Sequence, residues 1–113
     1  MKIQGTNLSM IRGDSEAIKV SCRDESGADV PLVEGDIVYF TVKKSTYTEE
    51  KTLQKIVTEF TEGVALISIF PEDTRELKTG SYYYDIQLNR ANGQVKTIIP
   101  PSKFIINAEV TYD

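Results

Sequence analysis

The chain contains no histidine and no tryptophan, and its one cysteine is Cys22. Without histidine there is no Ser–His–Asp or Cys–His catalytic set, and the usual zinc ligand sets cannot be assembled. A lone cysteine forms no internal disulfide, and Cys22, placed between polar neighbours in an alternating run, is expected to be a small buried apolar residue. No run of about 18 apolar residues exists to span a bilayer. No signal-type apolar region follows Met1, so membrane insertion is not expected, and the protein is expected to be made and folded in the cytoplasm. Clustered Lys and Arg are also missing: 13 basic residues face 17 acidic ones, a net charge of −4. Binding to bare nucleic acid is therefore disfavoured, because neutralising phosphates requires concentrated positive charge. No glycine-rich phosphate cradle occurs. Around Asp24, Glu25 and Asp29 the glycine-centred twelve-residue calcium loop is absent. With no repeat, low-complexity tract or composition shift, residues 1–113 read as one domain that needs no cofactor and no metal.

What is present is a series of short alternating segments separated by turn residues, the pattern of an all-β protein. Residues 17–23 alternate, with Ile18, Val20 and Cys22 on one face. Asp24-Glu25-Ser26-Gly27 then supplies a turn. The segment 37–43 places Val38, Phe40 and Val42 inward and Ile37, Tyr39 and Thr41 outward. Apolar residues on both faces predict a central strand or a covered outer surface. Residues 44–52 are polar and aperiodic, and read as an exposed, mobile loop. Segments 53–60 and 64–70 flank Thr61-Glu62-Gly63, which predicts a hairpin with a three-residue connection. Segments 81–90 and 94–99 flank Ala91-Asn92-Gly93, and Asn-Gly is a strong hairpin signal because both residues tolerate positive φ. Pro100-Pro101 cannot donate ladder hydrogen bonds, so a bulge or edge crossing is expected before extended structure resumes over 104–108.

The stretch 69–88 predicts a strand, a single helical turn within 71–77, a glycine and a tyrosine-rich strand. Pro71 suits the first helical position, and Glu72 and Asp73 place negative charge on the first turn's unpaired N–H groups. Leu77 should point inward, and Gly80 should close the segment. Beyond it Tyr82, Tyr84, Ile86 and Leu88 form the core face, and Tyr83, Asp85 and Gln87 the other. Leu77-x-x-Gly80-x-Tyr82-x-Tyr84 is similar to the corner before strand F of immunoglobulin-like sandwiches, with Tyr82 as the tyrosine whose hydroxyl bonds back to the upstream backbone. The expected fold is an immunoglobulin-like antiparallel β-sandwich of about seven to nine strands, free of disulfides.

Several motifs in order resemble the N-terminal domain of phage baseplate upper proteins: Ile11-Arg12-Gly13-Asp14-Ser15, Phe40-Thr41-Val42-Lys43-Lys44, Pro71-Glu72-Asp73-Thr74, Gly80-Ser81-Tyr82-Tyr83-Tyr84-Asp85-Ile86-Gln87, then Gly93 and Lys103-Phe104. The resemblance runs over residues 11–111. It implies a non-enzymatic module of a tailed phage or prophage, part of the virion's tail or baseplate. In that family the domain docks onto other tail components, and later regions extend outward to carry receptor-binding parts.

Other signals have simpler explanations. Arg12-Gly13-Asp14 spells an integrin tripeptide, yet a turn before a strand accounts for it. Glu72, Asp73, Glu76 and Asp85 could be read as an acid/base pair, but helix-start charge and a solvated strand face suffice. The functional expectation is a surface patch of Ile37, Tyr39, Tyr83, Asp85, Ile98 and Ile105 on the outer face of one sheet, docking another tail protein or a second copy of the chain. The alternative is a carbohydrate-binding module in which Tyr39, Tyr47 or Tyr83 stacks on sugar rings.

Overall fold

The computed structural model describes residues 1–111, and strand accounts for 53% of the chain against 4% helix, so the all-β class holds. The strands are β1 (Lys2–Gln4), β2 (Asn7–Ile11), β3 (Glu16–Val20), β4 (Cys22–Arg23), β5 (Asp29–Val30), β6 (Ile37–Lys43), β7 (Leu53–Val57), β8 (Ala65–Ile69), β9 (Gly80–Asn89) and β10 (Val95–Asn107), with the helical turn α1 (Pro71–Thr74) between β8 and β9. The count exceeds the expected seven to nine because the segment 17–23 divides into β3 and β4, and because β1, β4 and β5 are only two or three residues long.

Six strands form one sheet in the order β1-β2-β10-β9-β6-β7, while β3 pairs with β8 and β4 with β5. One continuous core lies between the layers: Val38, Phe40, Ile86, Leu88, Phe104 and Ile106 from the large sheet meet Val20, Ala65, Ile67 and Ile69 from the small one. With β6, β9 and β10 in one sheet and β3 and β8 in the other, the arrangement matches the C-F-G and B-E strands of an immunoglobulin-like sandwich. The sheet is mixed, not purely antiparallel as expected, because β2 runs parallel to β10 with Leu8 beside Phe104 and Asn107 beside Ile11. Strand β6 lies between β9 and β7, which explains its two apolar faces: Val38, Phe40 and Val42 are fully buried and the residues between them half-buried.

The hairpin expected between 53–60 and 64–70 does not form. Strand β7 pairs with β6 and β8 with β3, so the connection crosses from one sheet to the other. Each strand has an apolar set that packs the same core from opposite sides; pairing them would leave one side of the sandwich uncovered. The turn itself is present and one residue shorter than expected. Thr61 and Val64 exchange both backbone hydrogen bonds at 3.0 Å, and Glu62 and Gly63 both take positive φ, 53° and 76°. Turn chemistry is thus legible where its sheet is not.

Glu62 and Gly63 should respond to substitution with opposite signs. A Cβ on Gly63 would meet Pro31 Cβ at 2.9 Å and Pro31 Cα at 3.1 Å, in a left-handed backbone region, so Gly63→Ala should cost about 2 kcal/mol. Glu62→Gly relieves a left-handed non-glycine residue and should gain about 0.5 kcal/mol. Urea unfolding of both variants checks the pair; equal shifts would refute the strain argument.

The 69–88 stretch folds as expected. Pro71 opens α1, and Asp73 accepts a hydrogen bond from the Phe70 N–H at 2.7 Å. Leu77 packs against the core edge, and the Tyr82 hydroxyl donates to the Lys78 carbonyl at 2.6 Å, forming the predicted corner. Thr74 is buried and accepts the Gly13 N–H at 2.8 Å. Lys55, opposite Phe40 in register, points inward from the edge strand β7. Its ammonium sits 2.7 Å from the Asp73 carboxylate and 4.9 Å from the Phe70 ring centre, joining the two layers at that edge. An inward lysine on an edge strand also discourages pairing with a further strand. The β9–β10 hairpin closes over Asn92-Gly93, and its register shifts on either side of Ile99, so the bulge expected at Pro100-Pro101 is present.

Candidate binding site on the outer sheet face

Two-residue periodicity assigns the outer face of the large sheet. Because Tyr82, Tyr84, Ile86 and Leu88 are buried, Tyr83, Asp85, Gln87 and Asn89 of β9 face out. Because Val38, Phe40 and Val42 are buried, Ile37, Tyr39, Thr41 and Lys43 of β6 do the same. The register sets them in rows, Lys43 beside Tyr83, Thr41 beside Asp85, Tyr39 beside Gln87 and Ile37 beside Asn89. Gln54 and Ile56 of β7 extend the second and third rows, opposite Thr41 and Tyr39.

These rows enclose a depression of about 360 Å³, with Tyr39, Tyr83, Asp85 and Gln87 among its lining residues. The β6–β7 loop supplies a wall through Ser45, Thr46 and Lys51. Tyr47 on that loop is 95% exposed. The polar side chains are partly tied to one another: Gln54 donates to the Thr41 hydroxyl at 3.0 Å, Gln87 to Asn89 Oδ1 at 2.9 Å, and Lys51 Nζ lies 3.5 Å from Gln54 Oε1. Burial pushes the Asp85 carboxyl above the usual aspartate range, and the positive charge of Lys43 partly opposes that rise.

Of the six residues expected to share a patch, Tyr39, Tyr83 and Asp85 come together at the depression. Ile37 faces outward at the end of β6, outside the lining. Ile105 faces outward beside Ser81, beyond Lys103 and away from the depression. Ile98 packs against the core, because the register shift between Thr97 and Ile99 breaks the alternation that would have turned it outward. The face is therefore more polar and more concave than the expected apolar patch. Thr41, Lys43, Gln87 and Asn89 were accessible to the same alternation that found Tyr39 and Tyr83; Gln54 and Pro101 required the strand register.

The remaining motifs are absorbed by the fold. The Arg12 guanidinium pairs with Glu109, with Nη2 at 2.7 Å, and donates to the Leu77 carbonyl at 3.1 Å, so the Arg-Gly-Asp triplet is engaged in structure at its first residue. Asp24 caps its own turn, accepting from the N–H groups of Ser26 and Ala28. Cys22 is buried. Among the described residues no cluster of three or more His, Cys, Asp or Glu side chains could hold a metal ion. Among them, too, no helix is long and apolar enough to cross a membrane.

The fold and this face define a sandwich domain with an open, partly polar sheet surface. Neither a protein-family model nor a curated protein matches the chain.

Proposed function

We propose that this chain is a non-enzymatic structural and interaction protein of a phage tail or baseplate, and that the outer face of its six-stranded sheet is the surface that meets its partner. One observation carries the choice of surface: Tyr39 and Tyr83 lie half-buried on the outer face of the sheet, around a depression. Tyrosine is enriched at interfaces, where its ring supplies area and its hydroxyl a hydrogen bond. The tail assignment draws on the motif resemblance, and the sandwich with its tyrosine corner is compatible with it. Tyr39→Glu and Tyr83→Glu should each weaken assembly with purified tail proteins, or self-association, by about tenfold or more, measured by pull-down and light scattering. Folded variants that assemble like the wild type would remove this face from the mechanism.

A second reading, a carbohydrate-binding module, is favoured by the polar lining of the same depression, where Asp85, Gln87 and Asn89 accompany the two tyrosines. A glycan array with alanine variants of Tyr39, Tyr47 and Tyr83 separates the readings.

A further inference from the structure

The depression owes its shape to the prolines of β10. The β9–β10 register passes from Ile99 beside Ile86 directly to Ser102 beside Tyr84, so Asp85 has no ladder partner on β10 and only Pro101 lines that flank. On its other side stands Thr41, a short side chain. Tyr83, two residues back on the same strand, and Tyr39, diagonally placed on β6, rise at either end. The result is a short floor between two aromatic rings, with a carboxylate in its middle.

That carboxylate stands apart from the other described carboxylates that are at least half-buried. Glu16, Asp36, Asp73 and Glu109 all accept hydrogen bonds at close range. Asp85 accepts none among the described residues, although it is half-buried. Lys43 acts on it only at longer range. Its neighbours are different: Gln54 and Gln87 are already oriented by their bonds to Thr41 and Asn89. An acceptor left open, beside polar groups already held in place, suits a ligand that brings its own donors.

Charge selects the ligand class. Lys43 and Lys51 line the depression against the single carboxylate of Asp85. A cationic group is repelled by two ammonium groups, and an anionic one meets the carboxylate on the floor. An uncharged ligand rich in hydroxyls satisfies both signs, donating to Asp85 and accepting from the lysines. A ligand with an apolar C–H face also uses the tyrosine rings. The volume of about 360 Å³ lies at the small end of ligand sites.

We propose that the depression around Asp85 binds one uncharged pyranose unit of a glycan, with two adjacent sugar hydroxyls donating to the Asp85 carboxylate and the C–H face of the ring resting on Tyr39 or Tyr83. The proposal rests on the carbohydrate reading and adds to it the site, the ligand class and the residue that holds the ligand.

The test is a titration of isotope-labelled protein with the methyl pyranosides of glucose, galactose and N-acetylglucosamine, alongside glucuronate and glucosamine as charged controls and a glycan array. Backbone amide shifts centred on Tyr39, Thr41, Tyr83 and Asp85 with an uncharged sugar at millimolar concentration, weaker with both controls, are expected. Asp85→Asn should weaken binding by about tenfold, as loss of a charge-assisted contact. It should unfold no earlier than the wild type, because Asp85 makes no hydrogen bond that the fold requires. Sugar binding unchanged in Asp85→Asn, or array binding that moves only amides around Tyr47, overturns this site while leaving the carbohydrate reading in place. No array signal and no amide shift overturns both.

Discussion

Asp36→Ala should lower stability by about 3 kcal/mol and the unfolding temperature by on the order of 15 °C. Asp36 is 1% exposed, just ahead of β6. One carboxylate oxygen accepts the Val33 N–H at 2.9 Å, and the other accepts the Ala91 N–H at 3.0 Å across to the β9–β10 hairpin. The Arg90 guanidinium lies 3.6 Å away. Truncation would leave two backbone donors without acceptors in a loop junction too close-packed for easy relaxation; a Cβ on the adjacent Gly35 would sit only 2.8 Å from Ala91 Cβ. Hydrogen bonds to a charged acceptor contribute about 1.5–3 kcal/mol each, and orphaned partners account for much of the loss. The sign with pH follows from the same contacts. Burial alone would raise the Asp36 carboxyl, but the two N–H groups and Arg90 outweigh it and hold it below its ordinary value of 3.8. A depressed folded value means that the stabilisation is present above the unfolded value and is lost as pH falls through the folded one. The gap between wild type and Asp36→Ala in urea midpoint should therefore be wide at neutral pH and narrow in acid below about pH 4. A difference under about 1 kcal/mol at neutral pH would show that the junction is not held by this residue.

Phe40→Ala is expected to be at least as severe, about 4 kcal/mol. Phe40 is fully buried on the inner face of β6. Its ring centre lies 5.4 Å from that of Tyr84 on β9 and 6.0 Å from that of Phe104 on β10, and the latter two are 6.2 Å apart. Three neighbouring strands thus each contribute one ring to a triangle at the middle of the core, in the tilted and edge-on geometries that aromatic pairs favour. Removing one ring loses its transfer free energy and leaves a cavity bounded by the other two, which the strand ladder holds apart. A domain of this size has about 5–15 kcal/mol in total, so the alanine variant could lose a large fraction of its folded population. Phe40→Leu provides the graded control at about 1–2 kcal/mol. Denaturant midpoints that fall in the order wild type, leucine, alanine at similar slope are expected. An alanine variant no worse than leucine would mean that the cavity collapses and the triangle is not a rigid unit.

How far the sequence carried depended on whether the governing contact was local. The bounds of β6, the face assignment of Tyr82 to Leu88, the Asn92-Gly93 hairpin and the bulge at Pro100-Pro101 follow from period-two patterning and turn chemistry, and each is present. The Tyr82 corner was legible through a short motif whose hydrogen bond closes within four residues. The partners of β7 and β8 were not legible, because the Glu62-Gly63 turn has the same local conformation whether the chain returns along one sheet or crosses to another. The parallel pairing of β2 with β10 had no local signal at all. The same division applies to the site. Alternation placed Tyr39, Tyr83 and Asp85 on one face, but the depression arises from the register slip between Ile99 and Ser102, opposite Asp85, and the other slip, between Thr97 and Ile99, turned Ile98 inward. The bond from the Ala91 N–H to Asp36 had no local signal either, since Ala91 lies far along the chain.

The parallel pairing of β2 with β10 bears on how the molecule reaches its native state. It brings Leu8 beside Phe104, nearly the whole chain apart, so it is the costliest loop closure in the sheet and is favoured late, after the β9–β10 hairpin has formed. Until then the segment 104–107 has one ladder edge open, and the strand that fits it can come from a second chain as readily as from the first. At high concentration the exchange of β2 between copies is thus the foreseeable error of folding, producing intertwined dimers whose sandwiches are each intact.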